Sequence, residues 1–111
     1  MNAKEINRVI DTLQDLKDGL EDDIKEAALE VASDWVQEAA EEHKQEFDDN
    51  FSGYDYERDD AWSDARDEFR ERIPDIEANA REEWEQTDEA DELTRRVRVV
   101  ADAISLLETL I

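Results

Sequence analysis

Apolar residues recur every three or four positions along most of this chain, which is the period of an amphipathic helix. This period predicts a helix from about Ala3 to Phe47, with Asn2 as its N-cap. The stripe passes Gly19 without a change of phase, so one continuous helix is favoured over two. Its apolar positions are Ile6, Val9, Leu13, Leu16, Leu20, Ile24, Ala27, Val31, Trp35 and Ala39.

The same period returns after residue 60 and predicts a second helical region from about Ala61. Pro74 lies inside this stripe, and because proline has no amide donor and clashes with the preceding turn, it is expected to kink the helix or to begin a new one. A last helix is predicted from Thr87 or Asp88. The second stripe contains Trp62, Ala65, Phe69, Ile73, Ile76, Ala80 and Trp84, and the last contains Leu93, Val97, Val100, Ile104, Leu107 and Ile111.

Residues 48–60 have no helical period and are rich in turn-forming side chains such as Asn50, Ser52 and Gly53. They predict one substantial acidic loop. No segment shows sustained alternation of apolar and polar residues, so strands are not expected. The chain is therefore predicted to be all-α: a small antiparallel bundle of three to five helices, forming a single domain over residues 1–111.

Charge changes this picture more than any motif does. The chain has 35 Asp and Glu against 13 Lys and Arg, a formal net charge of -22. Such a field repels nucleic acids and anionic membranes and attracts basic proteins. The N-terminal segment carries charges where a signal peptide would be apolar, and no segment is apolar enough to span a bilayer, so a cytoplasmic protein is expected.

The charge is not spread evenly. The net charge is -9 over residues 1–47, -5 over residues 48–60, -9 over residues 61–92 and +1 over residues 93–111. Because like-charged surfaces repel, the nearly neutral last helix is a candidate surface for a homodimer. The alternative is that it forms the centre of the monomer core.

The carboxylates also follow a helical period, out of phase with the apolar stripes. Like charges three or four residues apart destabilise a helix by roughly 0.2 to 0.5 kcal/mol per pair, so such rows carry a cost in stability. Two rows on adjacent helices would resemble the two phosphate strands of DNA. The first row contains Asp11, Asp15, Asp18, Asp22, Glu26 and Glu30, and the second, interrupted at Ala78, contains Asp60, Asp64, Asp67, Glu71, Asp75, Glu82, Glu85, Glu89 and Glu92. The candidate partner-binding residues are the members from Asp11 to Glu26 and from Asp60 to Glu85.

In size, helicity and the acidic rows that begin at Asp11 and Asp60, the chain resembles phage-encoded DNA-mimic proteins that block restriction enzymes, and acidic anti-CRISPR proteins. The resemblance implies an inhibitor without enzymatic activity or cofactor, often a dimer, acting in the cytoplasm of the host cell. Such an inhibitor occupies the nucleic-acid groove of a basic defence or regulatory protein and does not bind nucleic acid itself.

Two other interpretations compete with mimicry. Adaptation to high salt would also favour an acidic chain that is poor in lysine, and this chain has 4 lysines against 9 arginines. Calcium binding is the other, because the segment after Phe47 can be aligned to the oxygen ligands and turn glycine of an EF-hand loop. The candidate calcium ligands are Asp48, Asn50, Ser52, Tyr54 and Asp59.

Enzymatic activity has the weakest support. The chain contains no cysteine, and its one histidine, His43, is expected to be a surface residue. General acid or base catalysis needs a carboxylate in a dry pocket, whereas these carboxylates are expected in exposed rows.

Overall fold

The computed structural model describes residues 2–111, and in that range it contains three helices and no strand. Helix α1 spans Ala3–Asn50, α2 spans Asp55–Glu85 and α3 spans Asp88–Glu108. The all-α prediction is confirmed, with the helix count at the lower end of the predicted range.

Helix α1 is 48 residues long and begins where the sequence predicts. The amide of Glu5 donates a 2.9 Å hydrogen bond to the side-chain oxygen of Asn2, which is therefore the N-cap. Gly19 lies inside the helix, so the favoured continuity through this glycine is confirmed.

The loop predicted over residues 48–60 was too long. Only Phe51–Tyr54 lies between α1 and α2. Aspartates beyond Gly53 were interpreted as loop residues, but Asp55 and Glu57 occupy the first turn of α2, where a carboxylate interacts favourably with the exposed amides of the helix. Asp48 and Arg58 form an ion pair across the connection.

Pro74 does not begin a new helix, because α2 continues through it. Helix α3 begins at the predicted place. The hydroxyl of Thr87 accepts a 3.3 Å hydrogen bond from the amide of Ala90 and donates a 2.6 Å bond to the carbonyl of Trp84. One side chain therefore ends α2 and caps α3.

Contacts between residues divide the chain into two units, which are described separately. Unit 1 contains the chain up to Ala28 together with Trp84–Ile111. Its buried cluster consists of Ile6, Ile10, Val100 and Ile104, with Leu13, Leu20 and Leu107 packed around it. The apolar stripe at the start of α1 thus meets the stripe of α3.

Unit 2 contains Leu29–Glu83, and its buried residues are Ala32, Phe69 and Ala80. Aromatic rings supply much of its packing: Phe47 lies 5.1 Å from Trp62 and 5.4 Å from Phe51, measured between ring centroids. The organisation of both units as a single bundled domain stays a prediction.

The two glycines give opposite predictions for stability. A Cβ added at Gly19 meets no neighbouring atom, whereas one added at Gly53 would lie 2.7 Å from the Phe51 ring. We expect Gly19→Ala to raise the free energy of unfolding by about 0.5 to 1 kcal/mol, because alanine is the better helix former.

Gly53→Ala should lower the free energy of unfolding, since the Phe51 ring must move away from its stacked partner Phe47. Urea unfolding followed by circular dichroism measures both variants. If both variants changed the free energy of unfolding in the same direction and by the same amount, the proposed difference between the two glycine sites would be wrong.

Candidate functional site

The first set of candidate residues lies along α1 as predicted, and we call it the α1 row. All of its side chains are exposed. With about 100° between successive residues, they fall within an arc of about 80° around the helix. In the described chain none of them forms an ion pair, so their charge faces solvent. The α1 row consists of Asp11, Asp15, Asp18, Asp22 and Glu26.

The second set lies along α2 and is called the α2 row. Its side chains are also exposed and fall within a similar arc of about 80°. The row includes Asp60, which was assigned to the loop and lies in the helix instead. Within residues 2–111 its one ion pair joins Asp67 to Arg70 at 3.7 Å. The α2 row consists of Asp60, Asp64, Asp67, Glu71, Asp75, Glu82 and Glu85.

The α1 row belongs to unit 1. The α2 row up to Glu82 belongs to unit 2, and Glu85 belongs to unit 1. The expectation that the two rows lie on adjacent helices stays a prediction, and each row is considered by itself.

Basic side chains pair mainly with acids that lie outside the rows. Lys17 lies 3.6 Å from Glu21, and Arg81 lies 3.8 Å from Glu77. Neither Glu21 nor Glu77 is a member of a row. Within residues 2–111, Asp67 is the one carboxylate of the α1 and α2 rows with a basic partner, so the other members remain available to an external partner.

The calcium candidates are not arranged as a loop. Asp48 and Asn50 end α1, Ser52 and Tyr54 lie in the connection, and Asp59 lies inside α2. An EF-hand needs twelve loop residues to wrap the ion, whereas four residues separate these helices.

The charges around Asp48 are also those of an ion pair. Lys44 and Arg58 line the same pocket as Asp48 and Asp59, and Arg58 bonds to Asp48 directly. In the described part of the chain no group of three or more acidic or histidine side chains is placed to hold a metal ion.

His43 departs from its predicted position on the surface. It is half-buried, and its ring lies 5.1 Å from Phe69 and 5.7 Å from Trp62. The residue was considered by its polarity alone. Its place four residues before Phe47 was the available signal, because residues at that spacing share a helix face.

A groove in unit 1 was missed by the sequence analysis. It has a volume of about 450 Å³ and lies between Leu16 and Leu20 of α1 and Val99 and Val100 of α3. At one end, Glu92 pairs with Arg95 and accepts a 3.1 Å hydrogen bond from the Nε of Arg96.

Comparison with known proteins gave no match for this chain among family models, curated proteins or solved structures. In the part of the chain that the structure describes, no helix combines the length and apolarity needed to cross a membrane.

The arginines at the groove hold the pKa of the Glu92 carboxyl below its ordinary value. The hydrogen bond from Arg95 contributes most, followed by the charge of Arg95 and then the bond from Arg96. The stabilisation from this lowered pKa is therefore present above the ordinary glutamate pKa. It is lost as the pH falls through the lowered pKa.

We expect Glu92 to titrate below its ordinary value in an NMR pH titration, and Arg95→Gln to move its pKa back up. Arg98→Gln removes the same charge from a residue that does not contact Glu92, and it serves as the control. If Arg98→Gln raised the pKa of Glu92 by the same amount, the lowered pKa would come from the overall electrostatic potential and not from the contact with Arg95.

Proposed function

We propose that this protein is a DNA-mimic inhibitor that binds the nucleic-acid groove of a basic protein through its carboxylate rows. The observation that carries the proposal is the exposure of every row carboxylate, with one ion pair, that of Asp67, along both rows in residues 2–111. Carboxylates that only stabilised the fold would be expected to form ion pairs with lysine or arginine. These rows are instead left for an external partner.

The spacing of the charges supports this proposal. At a rise of about 1.5 Å per residue, the α1 row from Asp11 to Glu26 extends roughly 22 Å, with about 5 to 6 Å between neighbouring carboxylates. One strand of B-DNA presents a phosphate per roughly 3.4 Å of helix axis. The α2 row has the same spacing except between Asp75 and Glu82, where the gap is roughly 10 Å. Each row is thus a linear array of negative charge at a somewhat lower density than that of a phosphate strand.

The partner's chemistry follows from the same array. A groove that binds phosphates presents Lys and Arg side chains, which can bind carboxylates in the same way. The proposed class of partner is a DNA- or RNA-binding protein of a defence or regulatory system, as in antirestriction and anti-CRISPR inhibition. The proposed mode of action is occlusion of the groove, in the cytoplasm of the host cell, by a small helical bundle without enzymatic activity.

The α2 row provides a direct test. The triple variant Asp64→Asn, Glu71→Gln and Asp75→Asn removes three exposed charges from one helix face. We expect it to compete with duplex DNA for the groove at least about tenfold less well than the wild type, because several charge-assisted contacts are lost together. The measurement is displacement of a fluorescent duplex from a DNA-binding protein that the wild-type chain captures from a cell extract.

The matched control removes three exposed charges outside both rows: Asp23→Asn, Glu42→Gln and Glu83→Gln. Its net charge equals that of the triple row variant, so net charge alone cannot separate the two. Equal loss of competition in both variants would mean that total charge and not the row governs binding. Displacement by the wild type should also weaken steeply as salt is raised.

High-salt adaptation makes a different prediction about folding. The low lysine content fits adaptation to high salt. The +1 charge of residues 93–111 is not what general solvation of an acidic surface would require. We expect the chain to keep its helical circular dichroism in dilute buffer, since repulsion of roughly 0.2 to 0.5 kcal/mol per like-charged pair weakens the helices without abolishing them. Helicity that develops only in molar salt would favour adaptation over mimicry.

A further inference from the structure

Helix α3 carries a second apolar stripe besides the one that forms the core of unit 1. Its members are spaced by four, three and four residues, which places them on one face of the helix. Val99 is 62% exposed, Leu106 70% and Leu110 65%. We call this set the α3 seam: Val99, Ala103, Leu106 and Leu110.

The groove described above continues this apolar surface onto α1. Leu16 is 52% exposed and lines the groove opposite Val99. A helix pair with one packed side and one open apolar side is typical of half of a larger helical interface.

The charge of the chain restricts what can cover the seam. With a net charge of -22, two copies repel each other over most of their surfaces, whereas residues 93–111 carry +1. The seam is therefore the surface on which a second copy meets least repulsion. A strongly basic partner would instead be attracted to the carboxylate rows.

When the α3 helices of two copies run antiparallel, the arginines near the start of one helix lie beside the C-terminal end of the other. Arg95 and Arg96 lie one turn before Val99, and the last turn of α3 contains no basic residue. Cations stabilise the C-terminal end of a helix, where carbonyl groups lack partners. A parallel pair would instead place the arginines of both copies together.

We propose that the α3 seam is a homodimer interface in which two α3 helices pack antiparallel. In the register that keeps the seam apolar, Val99 faces Leu110 of the partner subunit and Ala103 faces the partner's Leu106. Leu110 of each copy enters the groove of the other. Arg95 and Arg96 then lie beside the C-terminal carbonyls of the second α3. The interface is independent of the carboxylate rows.

Sedimentation velocity and light scattering of the full chain over a range of protein and salt concentrations test the proposal. We expect a dimer whose dissociation constant falls as salt is raised, because salt screens the repulsion between copies. Binding of a basic groove to the rows weakens as salt is raised. The dimer and the DNA-mimic function can therefore be disproved independently of each other. A monomer at millimolar protein in high salt would overturn the dimer.

The variant Leu106→Lys should weaken the dimer by at least about a hundredfold, because each copy loses a buried leucine. It lowers the net negative charge of the chain, so loss of the dimer cannot come from stronger repulsion between the acidic surfaces. Leu29→Lys is the matched control, since Leu29 is also exposed, at 52%, and lies on α1 outside the seam. Both should keep wild-type helicity, and a dimer unaffected by Leu106→Lys would overturn the assignment.

Orientation is tested by cysteines, of which the chain has none of its own. Val99→Cys and Leu110→Cys chains are mixed and oxidised with glutathione disulfide. We expect the mixed disulfide between the two variants to exceed the disulfides of either variant with itself. Predominance of the self-disulfides would indicate a parallel pair and overturn the proposed arrangement.

Discussion

Electrostatic self-repulsion is the constraint on which the rest of this structure depends. With 35 acidic and 13 basic residues, any fold must keep carboxylates apart and in water, and within residues 2–111 no polar or charged residue is buried. Helices meet this requirement because their backbone hydrogen bonds are local and their side chains divide between faces. One face can pack while another holds the charge.

The chain has too few basic residues to pair with every acid, so the positions of the ion pairs decide which carboxylates stay unpaired. Glu21, Asp48 and Glu77 pair with lysine or arginine and lie outside the carboxylate rows. Asp67 and Glu92, at two places in the second acidic row, pair with arginines. Most carboxylates of the rows have no basic partner within residues 2–111. The acidic residues are concentrated on α1, on α2 and at the start of α3, whereas residues 93–111 carry a net charge of +1.

Period and capping allowed most of the fold to be predicted from the sequence. The beginnings of α1 and α3 follow from Asn2 and Thr87, whose side chains cap the free amides, and the phase of the apolar stripe predicted helix through Gly19. The predicted start of α2 was wrong because aspartate favours both turns and the first turn of a helix, and α2 begins at Asp55. Of the two outcomes expected at Pro74, a new helix is excluded because α2 continues through this residue, and a kink stays a prediction.

The carboxylate rows were predictable for the same reason as the helices, because exposure follows directly from position relative to the apolar stripe. The groove and the α3 seam were not recognised. The core stripe of α3 accounts for the clearest helical period in residues 93–111, and residues beside it, such as Leu106, add no separate signal. Distinguishing a packed apolar face from an open one requires knowing which neighbour covers each, and a single sequence does not contain that information.

The composition of unit 1 also determines the order in which the chain can fold. Ile10 packs in one cluster with Val100, 90 residues further along the chain. Unit 2 closes over much shorter distances, as between His43 and Trp62. Contacts between distant residues are slower to form, because a longer segment must be ordered before they contribute. During synthesis the first half of α1 therefore stays without its partner until α3 has been made, and its apolar stripe is exposed to the cell during that interval.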